Sequence, residues 1–265
     1  NGGILERPSE EWIYKLEKRY KIEGFDFSVL DRIFNEVENK LNVNHYQNND
    51  EYQNQDSKIW LKYLNEMNIS YRDSNLAHTN CKNFNECISG CPNNAKNTNV
   101  NLNYLPTSKK NGVKIFTKNK VIKIKKAGKN WKIESKSNNK INLFQCNFLY
   151  LATGAIQTPL LLRKNGLSKT AGLKLKFHLN YQIISRFNKI LDSKKGTIFT
   201  KDIDHYKNLG ISFNPANFQK SYLFSKFSNL NNEQINEIEK KINNYAMYIS
   251  QLKVDGHASI KTDLF

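Results

Sequence analysis

No run of apolar residues in the 265-residue chain approaches the roughly 18 to 20 that a helix needs to cross a bilayer. A membrane-spanning helix bundle is therefore excluded. No signal peptide, internal repeat or long linker is visible. The chain starts at Asn1 rather than methionine and stops at Phe265 within an alternating pattern, so both ends are expected to be internal positions of a longer protein. Cysteine is scarce. Three of the four, Cys81, Cys87 and Cys91, lie close together and the fourth is Cys146, which is not the even framework of a small secreted disulfide protein. A reducing compartment is favoured: the cytoplasm is expected, with the periplasm as the alternative. An arginine-rich tail is missing too. Lys plus Arg number 41 against 24 Asp plus Glu, a net charge of +17 that would attract any polyanion. The lysines are nevertheless spread along the chain beside abundant Asn and Ile, in short clusters such as Lys123, Lys125 and Lys126. That is the look of a compositional bias, and no specific nucleic-acid partner is expected.

What is present suits one large domain or two ordinary ones. Ser9 can cap a helix over "EEWIYKLEKRY", with Glu10 and Glu11 at its positive end and Trp12, Leu16 and Tyr20 at helical spacing. A second helix is expected in "FSVLDRIFNEVENKLNV", with Val29, Ile33, Val37 and Leu41 on one face, and a third in "SKIWLKYLNEMNI". The polar "YQNNDEYQNQD" between them reads as a surface loop. Beyond residue 110 the texture becomes extended: "GVKIFTK", "KVIKIKKA" and "WKIESKS" alternate at period two between turn signals. Residues 148–152 are almost continuously apolar, as for a strand covered on both faces of a parallel sheet. From 173 onward "LKLKFHLNYQIISRF", "GTIFT", "GISFN" and "SYLFSKF" read as extended. A helix over 232–251 follows, carrying Ile235, Ile238, Ile242, Tyr245 and Ile249, and "DGHASIKTDLF" reads as turn plus strand. The fold class is mixed α/β: an α/β layer interleaved with a mainly antiparallel sheet.

The cysteines invite a metal reading. Zinc and iron–sulfur sites take four protein ligands, most often with a CxxC pair. Here the spacings are six and four, and Cys146 lies 55 residues beyond Cys91, so no metal ligand is assigned. A disulfide between two of the first three stays open. The alternatives are an iron–sulfur electron-transfer protein using Cys81, Cys87 and Cys91, or a basic nucleic-acid-binding protein. None of the five histidines forms a catalytic pair by spacing, and His257 reads as a turn residue rather than a general base.

The sharpest stretch is "LYLATGAIQTPLLLRKNG", residues 149–166. An apolar strand ends in the small residues Ala152, Thr153, Gly154 and Ala155, which let a ligand approach the backbone. Thr158 is placed to cap a helix with Pro159 at its first position and Asn165-Gly166 as its left-handed stop. Strand, tight turn and helix amino end form a layout for an anion such as a dinucleotide pyrophosphate.

This run resembles the second signature of the glucose/methanol/choline (GMC) family of flavin-dependent oxidoreductases. Gly154, Ala155, Thr158, Pro159, Leu162 and Gly166 fall in register, whereas Arg163 and Asn165 depart. "NGGILERP" is similar to the tail of the first signature, with Asn1 and Pro8 at matching spacing and Leu5 in place of an aromatic. The stretch from Cys81 through Cys87, Gly90, Cys91, Pro92, Ala95 and Lys96 to Tyr104-Leu105-Pro106, Gly112 and Val121 resembles a segment of bacterial members. "FHLNYQIISRF" is similar to the segment where a histidine opens the substrate-side sheet, here His178 with Asn180.

The resemblance implies an internal fragment. Residues 1–172 would be part of a FAD/NAD(P)-binding Rossmann-like domain, with a helical insertion at about 9–80, a cysteine loop at 81–106 and a β-meander at 113–135. Residues 173–265 would be part of an antiparallel substrate-binding domain. It implies FAD as cofactor, contacted by Asn1, Gly2, Val121, Ala152, Thr153, Gly154 and Ala155. It also implies hydride transfer to flavin from the CH–OH group of an alcohol, sugar or sterol-like donor, with oxygen, a quinone or a cytochrome accepting the electrons. The acid–base His/Asn pair is expected downstream and the GxGxxG turn upstream, so no catalytic residue is assigned within the chain. The cysteines would then be structural.

Overall fold

Helix α1 (Glu10–Tyr20) starts where Ser9 Oγ accepts the Trp12 amide at 3.3 Å, with Glu10 and Glu11 in its first turn and Lys18 and Arg19 in its last. Its buried residue is Ile13; Trp12 and Tyr20, at 51% and 56% exposure, lie off that line. Asp26 caps α2 (Phe27–Lys40) by accepting from the Val29 amide at 3.0 Å. The computed structural model describes residues 2–261 apart from 23, 46–52, 88–89, 194, 198–199, 217–219 and 228. Asn1, most of the polar loop after β1 and the last four residues of the C-terminal strand expectation therefore lie outside the described residues.

The remaining elements are β1 (Val43–His45), α3 (Gln55–Glu66), β2 (Arg72–Asp73), β3 (Asn75–Ala77), α4 (Tyr104–Lys110), β4 (Lys120–Ala127), β5 (Asn130–Ser137), β6 (Lys140–Cys146), α5 (Gly154–Lys164), β7 (Leu179–Arg186), β8 (Lys201–Asp202), β9 (Ile211–Pro215), α6 (Lys220–Ser225), α7 (Asn232–Lys240) and β10 (Tyr245–Leu252). The fold is mixed α/β with small sheets. Two compact units share the chain: Asn1–Lys110 with Asn180–Lys253, and Asn111–Leu179 with Val254–Phe265.

In the first unit the N-terminal segment and β1 flank β3, with Ile4 and Asn44 both opposite Leu76. Arg7 ties that segment to α2, donating to Asp31 at 2.8 Å, Asn35 at 2.7 Å and Glu38 at 2.6 Å. A three-stranded sheet runs in the order β7-β10-β9, and Ala216, Leu223, Ile242 and Met247 form its buried cluster. Two expectations are corrected here. The helix over 232–251 stops at Lys240 after a capping box from Asn231 and Gln234, and residues from Tyr245 form β10. Ala246 and Met247 are both fully buried. A central strand covered on both faces carries an unbroken apolar run, which periodicity alone does not separate from a buried helix. "SYLFSKF" is α6 over its first residues rather than a strand.

The second unit is an antiparallel meander, β4-β5-β6, with α5 beside it. Asn138 and Asn139 turn the β5–β6 hairpin with φ of 46° and 64°, the two left-handed residues such a turn requires. The meander therefore occupies 120–146 rather than starting at 113; "GVKIFTK" carries no strand and Lys140–Cys146 supplies the third. A bulge between Val121 and Lys123 turns both Val121 and Ile124 to the covered face. Residues 148–152 form no strand, and Phe148 and Tyr150 are 81% and 88% exposed. A parallel strand takes its backbone hydrogen bonds from neighbouring strands, and among the described residues none lies beside this run. The β1–β3, β9–β10, β2–β8, β4–β5 and β5–β6 ladders are antiparallel, and an isolated parallel bridge joins Phe84 to Gly196.

Candidate functional site

The seven residues expected to touch a cofactor divide between the units. Gly2 belongs to the first, Val121 and Ala152 through Ala155 to the second, and Asn1 is outside the described residues.

Gly2 and Gly3 lie along β3. The Gly3 carbonyl accepts the Ala77 amide at 2.8 Å, and the Leu5 amide reaches the Asn75 carbonyl at 2.9 Å. His78, 1% exposed, donates from Nε2 to the Gly2 carbonyl at 2.8 Å. Since that carbonyl only accepts, the proton sits on Nε2. Burial holds the His78 pKa below its ordinary value, opposed by the Gly2 contact and aided by the charge of Lys96. Gly3 takes φ +86°, and a methyl group there would fall 2.2 Å from His78 Nε2. His78 is thus the positioning residue of the glycine loop that sequence reasoning missed. Its one signal was a histidine continuing a buried "NLA" strand.

The cysteine loop leans on the same strand end. Asn97 donates to the Ala77 carbonyl at 2.7 Å, and Thr79 to the Ala95 carbonyl at 2.8 Å. Left-handed turns just before and within the loop fall on Asn80, Asn83, Asn85 and Asn94, the non-glycine residue that tolerates them best. Cys91 Sγ accepts the Ala95 amide at 3.2 Å and donates to Asn93 Oδ1 at 3.3 Å, Cys81 Sγ reaches Thr197 Oγ1 at 3.9 Å, and Lys96 donates to the Cys87 carbonyl. None of the four cysteines is in a disulfide. Among the described residues no three His, Cys, Asp or Glu side chains gather as a metal site. A groove of about 370 Å³ opens between Cys91, Lys96 and Val100; none of the expected cofactor residues lines it.

In the second unit Val121 faces Ser135 on the covered side of the meander. Asn119 Oδ1 accepts there from Ser135 Oγ at 3.2 Å and Asn142 Nδ2 at 2.9 Å. Ala152, Thr153, Gly154 and Ala155 are all exposed. The helix begins earlier than its capping signals suggest: Thr153 is the cap position, Pro159 lies inside α5, and the Thr158 hydroxyl meets that of Thr153 at 2.8 Å instead of capping. The first-turn amides therefore receive no side-chain cap, and such amides form an anion site. Gly154 takes φ +90° with nothing within 4 Å of where a Cβ would stand. An open backbone turn with uncapped amides fits a pyrophosphate.

The two residues that depart from the family signature both have structural uses. Asn165 Oδ1 accepts the Ile124 amide at 3.0 Å while its Nδ2 donates to Leu161, pinning α5 to β4. Arg163 donates to the Ile260 carbonyl at 2.6 Å. Gly166, at φ +68°, ends the helix as expected. His178 and His257 are exposed, and Asn180 is exposed on β7.

One ionisable group lies apart from these residues. Asp56, in the first turn of α3, is fully buried. Burial pushes its pKa up to about 7, against the pull of the Asp56 and Ser57 amides and the Ser193 hydroxyl. The neighbouring Tyr248 phenol is raised by burial and then by the Asp56 charge.

The profile of GMC oxidoreductases matches residues 1–180, so the chain belongs to the GMC oxidoreductase family. It is also 24% identical over 233 residues to the uncharacterized GMC-type oxidoreductase y4nJ of Sinorhizobium fredii (strain NBRC 101917 / NGR234), covering 82% of this chain and 44% of that protein. The chain thus spans less than half the length of that relative. The family is one of oxidoreductases and flavoproteins, generally FAD-binding. Among the described residues no helix is long and apolar enough to cross a membrane.

Proposed function

We propose that this chain supplies part of the FAD site of an oxidoreductase that oxidises the CH–OH group of an alcohol, sugar or sterol-like small molecule. The carrying observation is the exposed turn Ala152 through Ala155, with Gly154 at positive φ in open space, opening onto uncapped amides of α5. These amides and the dipole of α5 would hold the pyrophosphate. Val121 would offer its backbone beside the adenine, and Asn1, together with Gly2, whose carbonyl His78 holds, would approach the flavin. When bound, FAD supplies the hydride acceptor; the protein supplies position and electrostatics. The hydroxyl proton is assigned to a histidine with a His or Asn partner in the part of the full-length protein outside this chain. His78 is excluded from that role by its burial against Gly2. Cysteines outside any disulfide suit a reducing compartment, and we place the protein in the cytoplasm.

Exposed Phe148 and Tyr150 belong to a run that would pair within a larger sheet in the full-length protein. The 265-residue chain alone should then bind FAD poorly and self-associate. The direct test is Ala155→Glu in the full-length protein. A carboxylate in the first turn favours the helix by about 0.5 kcal/mol yet repels a pyrophosphate. Flavin content and alcohol oxidation with an artificial electron acceptor should fall together while thermal stability holds. Unchanged flavin content would sink the reading.

A further inference from the structure

One face of the meander carries a charge arrangement that the proposed flavin site does not use. Residues directly opposite in a ladder point to the same side. Lys120 stands opposite Lys136, Lys125 opposite Lys132, and Lys123 opposite Glu134. On the next strand Lys136 faces Ile141, Glu134 faces Leu143, and Lys132 faces Gln145. All five lysines are exposed. Lys123 makes an ion pair with Glu134 at 3.3 Å, and among the described residues no carboxylate pairs with the other four. Like charges directly opposite are destabilising, and here the sheet carries two such pairs, one on either side of the Lys123–Glu134 ion pair. On the edge strand β6, beside these charges, Leu143 is 76% exposed and Ile141 52%. The aromatic residues Trp131 and Phe144 fall on the other side, in register with Lys126 and Ile133.

We propose that this lysine face docks the protein on an acidic lipid bilayer. A three-stranded sheet face with lysines on β4 and β5 and exposed aliphatic side chains along its β6 edge matches a bilayer interface. Leu143 and Ile141 would enter between headgroups, while the lysine stems lie along the apolar layer with their ammonium groups at the phosphates. A nucleic acid is disfavoured because this face has neither the aromatic platforms nor the arginines that bind bases. The proposal goes beyond the oxidoreductase reading and stands or falls without it.

The test is co-sedimentation of the full-length protein with vesicles of phosphatidylcholine alone, and with vesicles in which a third of it is replaced by phosphatidylserine. Wild type should bind the acidic vesicles, weaken with salt, and ignore the neutral ones. Each lysine at an acidic surface strengthens binding about fivefold, so Lys125→Gln with Lys132→Gln should weaken it about 25-fold. That double variant removes a like-charge pair and should melt no lower than wild type, which separates lost docking from lost folding. Lys18→Gln with Lys189→Gln, exposed in the other unit, makes the same change in net charge and should weaken binding less than about threefold. The proposal is overturned by no binding to acidic vesicles, by equal binding to neutral ones, or by equal losses in the two double variants. Tighter binding to duplex DNA with the same dependence on Lys125 and Lys132 would overturn it as well.

Discussion

Gly3 and Gly154 sit in the two stretches that resemble family signatures, and both take positive φ, +86° and +90°. Their surroundings are opposite. At Gly3 a methyl group would collide with the ring of His78, whereas at Gly154 it would meet nothing within 4 Å. The first glycine is small because the protein fills the space beside it. The second is small in space the chain leaves open, beside amides that no side chain caps. The same residue type thus marks a packed support in one unit and an open approach in the other, and substitution separates the two.

The largest effect is expected at Gly3. Gly3→Ala adds left-handed strain and overpacking against a fully buried histidine, together about 3 to 5 kcal/mol. It should also break the contact from His78 to the Gly2 carbonyl. Urea unfolding of the full-length protein measures it, and a loss below about 1 kcal/mol would mean that the loop is not packed as described.

Next in size is Asp56, which tests how completely the first unit closes over polar groups. Its folded pKa lies near 7, above the ordinary 3.8. Below about pH 4 the carboxyl is protonated in both states. Between 4 and 7 it ionises in the unfolded chain first, so stability falls as pH rises, with the whole cost present above about 7. Thermal melts should show wild type losing on the order of 2 to 4 kcal/mol between pH 4 and 8 relative to Asp56→Asn. Parallel pH profiles would show that the carboxyl stays ionised and hydrated.

Much of this was legible in the sequence where local rules decide. Ser9 capped α1, Gly166 ended α5, and "KVIKIKKA" and "WKIESKS" paired. It was illegible where long-range partners decide. Residues 148–152 read as a buried strand because their apolar content is that of a parallel sheet, but a strand exists only beside another. Tyr245–Leu252 read as helix because a strand buried on both faces shows no alternation. At the site, the small residues of the turn announced themselves. His78 did not, because a buried histidine holding a carbonyl has no spacing rule, and the start of α5 moved because Thr158 found Thr153 rather than an amide.

Asn165 sharpens the comparison from the second unit. There the helix behind the open turn is tied to β4 through one side chain, which accepts the Ile124 amide and donates to Leu161. Asn165→Ala leaves that amide without its acceptor beside a buried residue, a loss of about 2 kcal/mol. Hydrogen exchange at the Ile124 amide should accelerate. Asn165→Ser, whose side chain is shorter than asparagine's, should recover only part of the loss.

The smallest folding effect is expected at Gly154, where the comparison can break outright. Gly154→Ala carries backbone strain of about 1 kcal/mol but no overpacking, since the added carbon enters open space. Its folding loss should therefore stay well below that of Gly3→Ala, although both substitutions add one methyl at positive φ. Flavin retention should nevertheless fall for Gly154→Ala at matched stability, because the methyl at 154 stands where a pyrophosphate would approach the amides of α5. Equal folding losses would mean that the space about Gly154 is filled in the full-length protein by polypeptide rather than by cofactor, and the turn would then be a second packed support.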